Sequence, residues 1–172
     1  RGYRWKEEVE MLLNDISEVE EGKNYCLQPI VVKRFGDKYE LIDGQQRLTT
    51  LYLIQKFTKT YRPKIQIKYT ISYQTRENSK SYLENLDFES INSNPSNIDE
   101  HFINGAAQII KEWFEKFNDE ELTKYASDDD AANDIQTKLN NKVHVIWYEV
   151  ESSENSTKLF TRLNIGKIPL TN

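Results

Sequence analysis

Along this 172-residue chain the apolar positions alternate between helical and strand-like periods. Val9, Leu12, Leu13 and Ile16 recur at i, i+3, i+4 and i+7 behind Trp5, which predicts an amphipathic helix over roughly residues 5 to 20 with a Glu-rich wet face. Pro29 to Phe35 and Tyr39 to Ile42 are short β-prone runs flanking Gly36-Asp37-Lys38, the signature of a hairpin with a glycine-containing loop. After an Asp43-Gly44 corner, Leu48, Leu51, Ile54 and Phe57 resume helical spacing to about Thr60. Ile65, Ile67, Tyr69, Ile71 and Tyr73 alternate with polar neighbours, so Lys64 to Tyr73 reads as a half-buried strand.

Residues 87 to 97 are rich in Asn and Ser and read as a loop, the expected boundary between a mixed α/β lobe and the helices that follow. Asp99 is the expected cap of a helix that buries Phe102, Ala106, Ile109, Trp113 and Phe117. The Asp128-Asp129-Asp130 cluster suits the start of another helix running to about Asn140. Lys142 to Val150 is a near-continuous apolar run, of the kind buried on both faces of a sheet. A last helix, from about Ser153 to Asn164, is expected to close at Gly166.

Composition narrows the class without fixing the function. Hydrophobic residues are 37% and charged residues 30%, with only 6 Gly and 4 Pro, which excludes collagen-like, linker-like and disordered chains. One Cys and two His rule out a disulfide framework and a zinc cage, and point to a reducing, cytoplasmic home. No run of about 18 apolar residues spans a bilayer. The ends at Arg1 and Pro169-Leu-Thr-Asn172 suggest a piece of a longer protein. The net charge of −5 hides an asymmetry: Lys33 to Lys80 holds 11 Lys or Arg against 4 Asp or Glu, whereas from Tyr82 onward 8 basic residues face 17 acidic ones. Such a segment suits a local anion site, or else a solvated face.

The densest polar signal is Leu41-Ile-Asp-Gly-Gln-Gln-Arg-Leu-Thr-Thr-Leu51. Where a strand ends at Ile42, Gly44 permits a tight turn, and the next amides point out of a helix N-terminus, which is a geometry that binds anions. Arg47 adds a planar cationic fork, Thr49 and Thr50 offer hydroxyls, and Asp43 suits Mg²⁺ or a water. The Walker A spacing is absent. The same residues also suit a plain β-turn with Arg47 in a surface ion pair.

Ile42-Asp-Gly-Gln-Gln-Arg-Leu-Thr-Thr-Leu51 resembles the hallmark motif of the N-terminal domain of the GmrSD family of modification-dependent restriction enzymes, itself similar to the ParB and sulfiredoxin fold. Arg1-Gly-Tyr-Arg-Trp5 resembles the family's opening Gln-Arg-x-Tyr-x-Trp, without its Gln, and Phe160-Thr-Arg-Leu-Asn-Ile-Gly-Lys-Ile-Pro-Leu170 resembles its closing Phe-x-x-x-Asn-x-Gly. The resemblance implies a single α/β (α+β) domain over residues 1–172, a small mixed sheet with flanking helices and a mostly helical insertion at about 78–140. It implies a nucleotide-binding domain, in many members an Mg²⁺-dependent NTPase, that controls a C-terminal HNH-type nuclease acting on DNA.

Carried over residue by residue, Asp43, Gly44, Gln45, Gln46 and Arg47 become the phosphate and metal site, bordered by Arg1, Tyr3 and Trp5. In that reading Gly44 and its neighbouring amides cradle phosphates, Arg47 neutralises developing charge, Asp43 holds the metal or orients water, and Gln45 or Gln46 positions the attacking water. Arg162, Asn164, Gly166 and Lys167 form a second group, as site residues or as ordinary C-capping. Two further readings are a nucleotide sensor without hydrolysis and direct DNA contact through residues 33 to 80. His101, His144, Arg76 and Cys26 read as structural or solvated, Cys26 as a small buried hydrophobe.

Overall fold

The computed structural model describes residues 5–73, 77–119, 124–151, 153 and 155–165. In chain order its elements are α1 (Trp5–Glu18), β1 (Tyr25–Phe35), β2 (Lys38–Asp43), α2 (Gln45–Tyr61), α3 (Glu77–Asn85), α4 (Ile98–Glu115), α5 (Asp128–Asn141), β3 (Val143–Val150) and α6 (Ser156–Ile165). This is the expected mixed α+β class with a small mixed sheet. The chain divides into two compact units: the first takes Arg1–Tyr25 and Thr49–Lys142, the second Cys26–Leu48 and Val143–Asn172.

The first unit is helical. Val9, Leu13 and Ile16 are buried as their spacing requires, on the face of α1 that packs against α4 and α5. Its centre is aromatic: Phe57 of α2 stacks on Phe114 of α4 with ring centroids 4.8 Å apart and meets the edge of Phe88. The polar ends of large side chains are satisfied within the unit, as where the Trp113 indole N–H donates to Asn14 Oδ1 at 2.7 Å. α4 is capped by Asn97 rather than by Asp99: the Asn97 side chain accepts from the amides of Asp99 and Glu100, while Asp99 stands in the first turn. Ser127 plays the same part for α5. α3 has no counterpart in the apolar spacing, because its nine residues, ENSKSYLEN, hold one buried apolar side chain, Leu83.

Lys64 to Tyr73 is not a strand. The segment is extended, with Ile65, Ile67, Tyr69, Ile71 and Tyr73 partly buried and their neighbours exposed, but no strand pairs with it among the described residues. Alternation reports an extended chain with one covered face, and a ladder partner is a separate requirement.

The second unit holds the sheet, in the order β2-β1-β3. β1 and β2 form the expected hairpin, closed by the Phe35–Lys38 pair. Gly36 turns at φ +61 and Asp37 does not go positive, the pattern of a II′ turn. Val31, Ile42 and Leu159 form a small core with Val150 packed against it, so α6 covers one face near the ends of β2 and β3. β3 corrects the sequence reading: among the described residues it is an edge strand, and its positions from His144 to Glu149 are all exposed. An apolar run of eight residues cannot by itself distinguish a central strand from an uncovered edge. Cys26 is likewise exposed rather than buried.

Candidate functional site

The corner between β2 and α2 lies in the second unit and is built on a positive-φ glycine. β2 ends at Asp43, opposite Val31, with a register irregularity between Val31 and Val32. Gly44 then takes φ +100, and a Cβ placed there would stand 3.0 Å from Ile30 Cγ1, 3.3 Å from Arg47 Nη2 and 3.4 Å from Ile30 Cα. The dihedral therefore strains any side chain here, and a Cβ would also require Ile30 to give by a few tenths of an ångström. α2 starts at once, and its first internal bond runs from the Leu48 amide to the Gly44 carbonyl at 3.0 Å. The amides of Gln45, Gln46 and Arg47 consequently have no acceptor inside the helix. The Gln45 and Gln46 side chains are exposed.

Arg47 folds back across this turn. Nη1 donates to Gln28 Oε1 at 2.8 Å, and Nη2 donates to the Pro29 carbonyl at 2.8 Å and to Asp43 Oδ2 at 3.3 Å. Its Nε is buried with no hydrogen-bond partner. The Arg47 and Asp43 side chains are 23% and 18% exposed, so the pair sits at the mouth of the corner, neither free in solvent nor sealed. The guanidinium thus ties the start of α2 to β1 and holds the Asp43 carboxylate in place. The plain ion-pair reading of Arg47 accordingly describes one of its three contacts.

The remaining expected residues are distributed otherwise. Thr49 and Thr50 continue α2 but belong to the first unit, where the Thr49 hydroxyl lies 3.2 Å from the Tyr73 hydroxyl and Thr50 is buried. Arg1, Tyr3, Arg76, Gly166 and Lys167 lie outside the described residues, as do the side chains of Trp5, Arg162 and Asn164. His101 and His144 are exposed, in different units. Sequence reasoning missed Gln28 and the Pro29 carbonyl; they stand 19 and 18 residues before Arg47, and nothing in a β-prone run marks them as acceptors.

Among the described residues no group of three or more His, Cys, Asp or Glu side chains forms a metal cage. The corner does fit a phosphate-borne Mg²⁺, which needs only one or two protein carboxylates because phosphates and waters fill its other positions. Asp43 is such a carboxylate, beside amides at a helix N-terminus. No helix among the described residues is long and apolar enough to cross a membrane.

No curated protein and no solved structure matches the chain. Residues 1–172 match the family model described as the GmrSD restriction endonuclease, N-terminal domain. With that match running the whole length of the chain through its Asp43-Gly-Gln-Gln-Arg47 corner, the protein belongs to the family of GmrSD restriction endonuclease N-terminal domains, and its role lies in restriction and defence.

Proposed function

We propose that the Asp43–Arg47 corner binds the phosphates of a nucleoside triphosphate with Mg²⁺, and that the domain hydrolyses it to control a DNA-cleaving nuclease region. The observation that carries this reading is the Gly44 turn, where φ +100 brings an ion-paired Asp43 to the N-terminus of a 17-residue helix. Mg²⁺ would supply charge neutralisation at the phosphates. The chain's residues divide the remaining work. The amides of Gln45, Gln46 and Arg47 donate to phosphate oxygens, with the helix dipole favouring the negative charge. Asp43 would hold the metal, and Arg47 acts mainly through Asp43, whose Oδ2 accepts from Arg47 Nη2. The exposed Gln45 and Gln46 side chains remain at hand to orient a water.

The test is a panel of the four NTPs with Mg²⁺, read as thermal shift and as phosphate release by the 172-residue chain. Stabilisation by at least one NTP is expected, lost in Asp43→Asn and in Gly44→Ala; no stabilisation by any NTP would rule out the site. Stabilisation without phosphate release would leave the sensor reading, which the threefold engagement of Arg47 favours, since a guanidinium so occupied is not poised to meet developing charge.

A further inference from the structure

At the other end of β2 from Asp43, the sheet exposes a second constellation. Tyr39 and Trp147 meet edge to face with centroids 5.0 Å apart at 88°, and both are largely in solvent, at 42% and 48% exposed. Arg34 lies beside them: its Nη2 donates to the Tyr39 hydroxyl at 2.7 Å, its guanidinium carbon stands 5.0 Å from the Tyr39 ring centre, and Nε donates to Glu149 Oε1 at 3.0 Å. Register accounts for the grouping. Arg34 pairs directly with Tyr39 across the hairpin, and residues of one parity on β3 share their face. All four residues lie in the second unit.

Packing gives no reason for this corner to be exposed. Two large aromatic rings in solvent on a sheet face carry an apolar cost that folding does not recover. The Arg34–Glu149 ion pair is a surface pair, worth little and readily exchanged for another anion. Charge around it is mixed, with Lys33, Arg34 and Lys38 beside Asp37, Glu40 and Glu149. Half-exposed aromatic rings with a guanidinium beside them form the stacking platform used for unpaired bases: every base has a π-face, and the guanidinium takes the adjoining phosphate.

We propose that Tyr39, Trp147 and Arg34 form a base-stacking site for an unpaired base of a DNA strand, with Arg34 exchanging Glu149 for the strand's phosphate. The site does not depend on the nucleotide reading of the Asp43–Arg47 corner, about 13 Å away along β2 at the usual rise per residue.

The experiment is fluorescence anisotropy of a labelled eight-nucleotide single strand titrated with the 172-residue chain at low salt, beside an abasic strand of the same length and charge. The base-bearing strand is expected to bind at least tenfold more tightly than the abasic one. Trp147→Ala should weaken binding about tenfold, and Trp147→Phe should restore most of it, which a purely structural role would not predict. Arg34→Ala should flatten the salt dependence by about one phosphate contact. Equal binding of the abasic strand, equal binding of ATP as competitor, or a Trp147→Ala effect seen only as lost self-association would each overturn the proposal.

Discussion

At the scale of single residues, Gly44 and Arg47 show how a short motif becomes a shaped corner. The need for glycine was legible in the sequence, because an Asp-Gly step between a strand and a helix demands a tight turn. The task of Arg47 was not, because its acceptors come from β1 and only the fold brings them within 2.8 Å. Gly44→Ala should destabilise the chain by roughly 1–3 kcal/mol in urea or thermal unfolding, the cost of a positive φ combined with a Cβ forced onto Ile30. A loss below a few tenths would mean the turn relaxes freely. Asn14 makes a comparable case in the helical unit. Asn14→Leu leaves the Trp113 indole N–H, on a residue only 3% exposed, without its acceptor and should cost about 1–3 kcal/mol.

At the scale of elements, strongly periodic helices were readable and edges were not. α1, α2 and α4 appear where 3.6-residue spacing places them, because one buried stripe suffices to specify a packed helix, and α5 begins at the Asp128–Asp130 cluster; the cap of α4 is Asn97 instead of Asp99. A strand also needs a neighbour, and sequence does not say which strand is central: hence the 64–73 segment, which joins no sheet among the described residues, and the exposed β3. The helices carry a pH signature as well. Tyr25 donates to Asp15, Tyr61 to Asp128 and Tyr125 to Asp134, all within the first unit. Burial, and then the neighbouring carboxylate, pushes the Tyr25 hydroxyl up to about 12 from its ordinary 10.0, and raises Tyr61 and Tyr125 likewise. A raised folded pKa means the unfolded chain loses its proton first. The stabilisation is therefore whole below pH 10 and drains away as pH climbs toward 12. Chemical denaturation at stepped alkaline pH should show the wild-type midpoint falling over this window, and a shallower fall in Tyr25→Phe.

Across the whole molecule, the basic stretch seen in the sequence is divided between the two units. Lys33, Arg34, Lys38 and Arg47 belong to the second unit and the rest of the 33–80 segment to the first, so the two units carry their charge separately. Much of it is answered locally, as Arg34 is by Glu149, Arg47 by Asp43, Arg62 by Asp129 and Lys80 by Glu84. Charge counting revealed the asymmetry; Asp43 and Glu84 stand four residues from their cations, whereas Glu149 and Asp129 come from distant positions that only folding joins. Native-state hydrogen exchange should separate the units' edges from their cores. The β3 amides that face away from β1 should exchange orders of magnitude faster than those of α4, whose Ile103, Ala107, Ile110 and Phe114 are buried. Equal protection of both would show that β3 is covered in solution.

The bare edge of β3 also has a colloidal consequence. Val145-Ile-Trp-Tyr148 presents four exposed apolar side chains in a row without the proline or lysine that usually guards a strand edge, while β2 carries Lys38 and Glu40 on its own. At neutral pH the net charge of −5 keeps copies apart, and that repulsion vanishes near the pI of about 5.2. Mild acidification should thus bring turbidity well before unfolding, and a single Ile146→Lys, by charging the edge, should keep the solution clear through the same pH range.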